Sequence, residues 1–260
     1  MTILDKIIEH KIKEVATRKE YLPISKLEQR PLFDIAPLSA KAWVTSPNRS
    51  GIIAEFKRKS PSKGLINGNV KVSDVTSAYV EAGASAISVL TDEEFFGGSV
   101  DDLLASRGVH RAPLLRKDFV VDEYQLIEAK SIGADLVLLI AACLEPKKLK
   151  ELAMTAKNLG LEVLMEVHNE DELKGHLNEH LDLVGVNNRN LKTFEVSVET
   201  SKRLSSLIPN EFLKISESGI SDPSTIRELK DFGFDGFLIG ENFMKTEDPG
   251  KACKEFIEAI

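Results

Sequence analysis

The chain has 260 residues, 42% of them hydrophobic, and no linker-like stretch divides it, so a single domain over residues 1–260 with a substantial core is expected. A formal charge of −7 at pH 7 excludes a general nucleic-acid binder, whose affinity would rest on a basic face. No apolar run approaches the roughly 20 residues that cross a bilayer, and MTILDKIIEHKIKEV mixes charges into its hydrophobics, so neither membrane insertion nor a secretory leader is expected and the cytoplasm is the expected location.

At the N-terminus, Ile3, Leu4, Ile7, Ile8, Ile12 and Val15 repeat at the spacing of one helical face, which predicts a helix packed on the rest of the chain. Asp5, Glu9, Glu14 and Glu20 would repel anionic lipid, which argues against a membrane-surface role. Pro23, Pro31, Pro37 and Pro47 punctuate the next segment, so residues 1–48 read as a helical extension wrapped on a barrel formed by 49–260.

From Gly51 onward short apolar runs alternate with amphipathic stretches. GIIAEFK, SAISVLT, PLLRKDF, DLVLLIA, LEVLMEV, LVGVNN, FLKISES and DGFLIG read as strands. Between them VSDVTSAYVEAG, VDDLLASRG, DEYQLIEAKSIG, EPKKLKELAMTAKNLG, NEDELKGHLNEH, SVETSKRLSSLI and DPSTIRELKDFG read as helices, with PGKACKEFIEAI last. The fold class is therefore α/β, a (β/α)8 TIM barrel with an N-terminal helical extension. A doubly wound open sheet would commonly show G-x-G-x-x-G after its first strand, and that spacing is missing.

In such a barrel the C-terminal strand ends share one mouth. They deliver Glu55 and Lys57 from the first strand, Lys117 from the third, Glu166 from the fifth, Asn187 from the sixth, and Glu217 with Ser218 from the seventh. Glu55 and Lys57 are two residues apart and share a face. Ionised groups within apolar runs are costly unless paired, and opposed lysines and glutamates around one cavity provide both the pairing and an acid–base set. Arg58, Lys59 and Lys63 read as a solvated loop face, with Ser60-Pro61-Ser62 in a loop of lid length. Ser218-Gly219-Ile220 and Gly240-Glu241-Asn242, after the seventh and eighth strands, put small residues where many barrels hold phosphate.

His10, His110, His176 and His180 are expected at the surface, while His168, just past Glu166, could face the mouth and is left unassigned. Cys143 and Cys253 are expected to be packing residues, and no metal site is expected.

Taken together these segments resemble the indole-3-glycerol phosphate synthase family: IIAEFKRKSPSKG matches its first-strand signature, followed by LRKDFVVDEYQ, EVLMEVHNEDEL, VGVNNRNL, ISESGI and GFLIGENFM. The resemblance covers the whole chain. It implies closure of 1-(2-carboxyphenylamino)-1-deoxyribulose 5-phosphate to indole-3-glycerol phosphate, with loss of carbon dioxide and water. It implies Lys117 as the general acid that protonates the ribulose carbonyl or its departing oxygen, Glu166 as the general base or its partner in the later dehydration, and Lys57 as the binder of anionic groups that also assists proton transfer. Glu55, Asn187 and Glu217 would hold hydroxyls and orient the lysines, and Arg189 and Ser60 would contact carboxylate. Ser218, Gly219, Gly240 and Glu241 would form the phosphate site, the last through its backbone N–H. The ring-closed substrate's own iminium is the electron sink for decarboxylation, so no cofactor is expected. The partner implied is a small sugar phosphate, with no nucleic acid and no membrane, on a monomer or dimer. A phosphoribosylanthranilate isomerase would use a cysteine and an aspartate, and no cysteine occupies a comparable strand end. A regulatory barrel without catalysis would have little reason to keep Lys117 with Glu166.

Overall fold

A computed structural model describes residues 2–191 and 193–260. The N-terminal region forms α1 (Ile3–Tyr21), α2 (Ile24–Leu27) and α3 (Ala40–Val44). β1 (Ile52–Phe56) follows, and then a short antiparallel hairpin of β2 (Lys59–Ser60) and β3 (Gly64–Leu65). The chain next alternates α4 (Val72–Glu81), β4 (Ala86–Leu90), α5 (Val100–Val109), β5 (Leu114–Lys117), α6 (Glu123–Ser131) and β6 (Leu136–Ile140). It continues with α7 (Pro146–Asn158), β7 (Glu162–Val167), α8 (Glu170–His176), β8 (Leu183–Asn187), α9 (Glu199–Ser205) and β9 (Leu213–Glu217). α10 (Pro223–Asp231), β10 (Gly236–Ile239), α11 (Glu241–Met244) and α12 (Pro249–Glu258) complete it. β1 and β4–β10 are all parallel and close into a barrel through the β1–β10 pair.

Strand alternation sorts the side chains into two cores. Ile53, Ala86, Leu115, Leu138, Leu164 and Ile215 point inward and fill the barrel. Ile52, Ile87, Val137, Val163, Val184 and Phe237 belong to a second cluster shared with the helices. Fully burying one such aliphatic side chain contributes about 1.5–3 kcal/mol, so the two layers together account for most of the drive to fold.

Helix boundaries follow the expected local chemistry. Asp122, Asp222 and Asp248 accept backbone N–H bonds at the starts of α6, α10 and α12, satisfying donors that the helix leaves open. Gly133 (φ 84°) and Gly160 (φ 78°) turn the chain out of α6 and α7 in the left-handed region.

The extension touches both ends of the barrel. α3 stoppers the N-terminal end, where Ala40 and Val44 join the interior core. There Glu162, at the start of β7, accepts from Ser39 Oγ at 2.6 Å and from the Lys41 N–H at 3.0 Å. α1 lies at the opposite end, with Ile3, Leu4 and Ile7 in the wall of the mouth.

Several local expectations are corrected. The segment holding Ser60 contains a short hairpin that the sequence pattern does not reveal, and Arg58 is not a freely solvated charge: its Nη2 donates to Asp102 at 2.9 Å. α8 and α9 are shorter than their periodic stretches suggest, and α11 has no forecast counterpart. His110 is buried, bonded to Ser106 Oγ at 2.9 Å and to the Ala112 N–H at 3.2 Å. Burial, with the nearby Arg107 charge, pushes its pKa down to about 4. Among the described residues no helix is long and apolar enough to cross a membrane.

Candidate active site

The C-terminal strand ends open into a cavity of about 540 Å³. Glu55, Lys57, Ser60, Lys117, Glu166, Asn187, Arg189, Glu217, Ser218, Gly219, Gly240 and Glu241, the full set of expected site residues, line it. They arrive from six barrel strands and the loops that follow them, so only barrel closure brings them together.

Lys117, the last residue of β5, is the hub. Its Nζ donates to Glu166 Oε2 at 2.9 Å and to Glu217 Oε2 at 2.8 Å. Asn187 Nδ2 holds the other Glu166 oxygen at 3.2 Å. On the neighbouring side of the mouth Lys57 Nζ meets Glu55 Oε1 at 2.7 Å. Glu55 also explains Gly240, because a Cβ there would lie 2.6 Å from Glu55 Oε1.

Charge and burial set the protonation states. Burial alone would lower the Lys117 pKa, but Glu166, Glu217 and Glu55 outweigh it and hold the amine protonated well above its ordinary range. For Glu166, burial favours the neutral acid, yet Lys117, His168 and Asn187 bring its pKa below the ordinary carboxylate value. Glu217 goes the other way. Burial raises it, Lys117 opposes, and the charges of Glu166 and Glu55 push it further up, to about 7. One ammonium cannot fully compensate two buried carboxylates, so the proton they share near neutrality sits on Glu217.

Gly185, on β8, faces the cluster, and a Cβ added there would collide with Glu217 Oε1. Gly185→Ala is therefore expected to push Glu217 off Lys117. A displacement of about 1 Å at a reacting group costs about a hundredfold in rate. Steady-state kinetics beside a thermal melt check this, and unchanged kcat would show that the Glu217 contact is dispensable.

The glycine turns occupy the far side. Ser218 (φ 67°) and Gly219 (φ 76°) are consecutive left-handed residues, a costly conformation for the serine. Asn188 supports it by donating to Ser218 O at 3.1 Å and to Ser216 Oγ at 3.0 Å while accepting from Ser201 Oγ at 2.9 Å. The carboxylate of Glu241 is paired at the rim: Arg189 Nη2 donates to it at 3.3 Å and Lys63 Nζ lies 3.7 Å away.

Two participants escape sequence reasoning. Asn188 sits beside the expected Asn187, yet its role depends on serines from α9 and β9. His168 proves to be part of the cluster. Its Nε2 faces Glu166 Oε1 at 3.4 Å, while Glu172 holds its Nδ1 at 3.2 Å and its backbone N–H at 2.7 Å. The signals were its two-residue spacing from Glu166 and the glutamate four residues on. The cavity also has an apolar wall that the strand ends do not announce, built from Ile3, Leu4, Ile7, Phe96 and Phe119.

A family model described as indole-3-glycerol phosphate synthase matches residues 4–256. A curated protein of that name from Bacteroides thetaiotaomicron is 49% identical over 258 residues, covering 99% of this chain and 98% of the relative. One from Polaromonas naphthalenivorans is 42% identical over 259 residues, covering 97% of each. Among solved structures, KGPDC from Streptococcus mutans aligns with a TM-score of 0.59 at 13% identity, over 80% of this chain and 95% of that one. A native KDPGal structure aligns at 0.57 and 15% identity, over 80% and 91%. At such identities these two bear on the fold alone.

Proposed function

The chain belongs to the indole-3-glycerol phosphate synthase family, and from that premise we propose how its side chains divide the work of a carboxy-lyase in tryptophan biosynthesis. The substrate is small and phosphorylated, and the reaction closes 1-(2-carboxyphenylamino)-1-deoxyribulose 5-phosphate to indole-3-glycerol phosphate. Its phosphate binds at the Ser218-Gly219 and Gly240-Glu241 turns. Its aromatic ring lies on the apolar wall, and Lys57 meets its carboxylate, with Arg189 and Ser60 at the rim.

In this reading Lys117 gives a proton to the ribulose carbonyl oxygen while the carboxyl-bearing ring carbon attacks the carbonyl carbon. A C–C bond forms, the carbonyl becomes a hydroxyl, and the positive charge resides on the substrate nitrogen as an iminium. The C–CO2 bond then breaks and its electron pair neutralises the iminium, restoring the ring. In the last step Lys117, reprotonated from solvent, gives a proton to the hydroxyl, which leaves as water, and Glu166 removes the carbon-bound proton whose bonding pair completes the indole. Asn187 keeps Glu166 aimed, and Glu55 and Glu217 keep the two lysines aimed.

The observation that carries this reading is the placement of one buried amine between two carboxylates, facing the glycine turns across a single cavity. Incubation of the purified protein with the carboxyphenylamino substrate should generate indole fluorescence. No product under conditions where substrate binds would refute it.

A pH dependence arises from Glu217. Its folded-state pKa is raised, to about 7, so it is protonated below that pH and becomes a full acceptor for Lys117 above it. The kcat/KM of the free enzyme is expected to rise with pH through a limb near 7 that belongs to the cluster as a whole. Glu217→Gln should remove that limb, and its survival in the variant would assign the titration elsewhere.

A further inference from the structure

α1 is joined to the strand that carries Lys117 by a closed ring of alternating charges. Lys11, Glu14 and Arg18 stand three and four residues apart on one helical face. Lys11 Nζ lies 2.8 Å from Glu14 and 3.0 Å from Asp118. Asp118 lies 3.0 Å from Arg116, which lies 2.7 Å from Glu128. Glu128 lies 3.0 Å from Arg18, and Arg18 Nε returns to Glu14 at 3.5 Å. Asp92, just after β4, adds a second buried carboxylate to Lys11 at 3.0 Å. The side chains of Lys11, Asp92, Arg116 and Asp118 are 1% exposed or less.

Ions withdrawn from water this completely each carry a desolvation cost of several kcal/mol, so the ring is a poor way to gain stability. It is a good way to define one seating. Apolar contacts such as those of Ile7 and Val15 tolerate sliding, whereas Lys11 and Arg18, on the face they share with Glu14, can meet Asp118 and Glu128 together only in a single register. Arg116 and Asp118 flank Lys117, and alternation sends them to the outer face while the amine enters the cavity. The other end of the same helix supplies Ile3, Leu4 and Ile7 to the cavity wall.

We propose that Lys11 is a positioning residue for the reaction: its ammonium, held between Asp92 and Asp118, fixes α1 as a wall of the substrate cavity and registers that wall against the strand bearing Lys117. The inference rests on the ring-closing activity proposed above. Lys11 touches no substrate and acts only through the placement of α1.

Lys11→Met keeps the aliphatic stem and removes the charge, leaving Asp92 and Asp118 to repel each other. Lys11→Met/Asp92→Asn relieves that repulsion without restoring the tether, and the asparagine oxygen can still accept from the Phe95 and Phe96 N–H groups as Asp92 does. Both variants are expected to raise KM at least about tenfold, with a smaller fall in kcat, while the double variant regains much of the melting temperature lost by the single one. Hydrogen exchange should quicken in residues 3–21 of both and stay unchanged in the barrel strands. If the single variant does not fold, the double variant carries the test alone. Recovery of KM together with melting temperature in the double variant, or unaltered exchange in α1, would overturn the proposal by reducing Lys11 to a stabilising contact. Failure of the unaltered protein to turn over substrate would count against the assigned reaction instead.

Discussion

Lys117→Ala is expected to lower kcat by at least about 10³-fold while the circular dichroism spectrum stays that of the native protein. A positioned general acid accounts for about 10²–10⁴ in rate, and this amine also holds two carboxylates in place, so the loss should sit at the upper end. Removing one partner of a buried ion pair costs about 3–5 kcal/mol when the other charge is stranded. Here the penalty is softened, because Glu217 is already poised to take a proton near neutrality and the cluster opens onto the cavity. Turnover with the carboxyphenylamino substrate, read by indole fluorescence, decides the matter. A variant that retains even a tenth of native kcat would remove Lys117 from the acid role.

Glu166→Gln should cost about 10²–10⁴ in kcat with KM changed only a few-fold. Glutamine is close to isosteric and its single carbonyl oxygen can still accept from either Lys117 or Asn187, so the side chain keeps its place while the capacity to take a proton is lost. A second effect separates this role from a generic disturbance. Glu166 is one of the charges that raise the Glu217 pKa, so neutralising it should move the limb near 7 to lower pH. The pH dependence of kcat/KM measures both. A loss of kcat with no movement of that limb would mean that the two carboxylates do not share one electrostatic environment.

The eight barrel strands were legible because each is an apolar run bounded by turn residues, and inward residues two apart carry their register into the mouth. That is why Glu55 with Lys57, Lys117, Glu166, Asn187 and Glu217 could be named from strand ends. Illegible features depend on contacts between distant segments. His168 gains its place from Glu166 and Glu172 together, and Asn188 gains its own from Ser201 and Ser216. The hairpin at Lys59–Leu65 lacks an alternating pattern, and α11 is too short for one. Periodicity from Ile3 to Val15 predicts a helix and is silent on its buried lysine, whose acidic partners Asp92 and Asp118 lie some 80 to 110 positions away in the chain. Composition misled at His110, where Ser106 and the Ala112 amide satisfy the ring in the interior.

The stopper at the floor of the barrel and the helix over its mouth belong to one continuous N-terminal segment, which sets an order of assembly. During synthesis α1 is made well before the acids that receive Lys11 and the glutamate that receives Arg18. Such non-local contacts form late, after the costly closure of long loops. A nascent chain should thus carry α1 loosely until the third barrel strand and its helix have left the ribosome, and pulse-labelled refolding should find its amides protected later than those of β4 and β5.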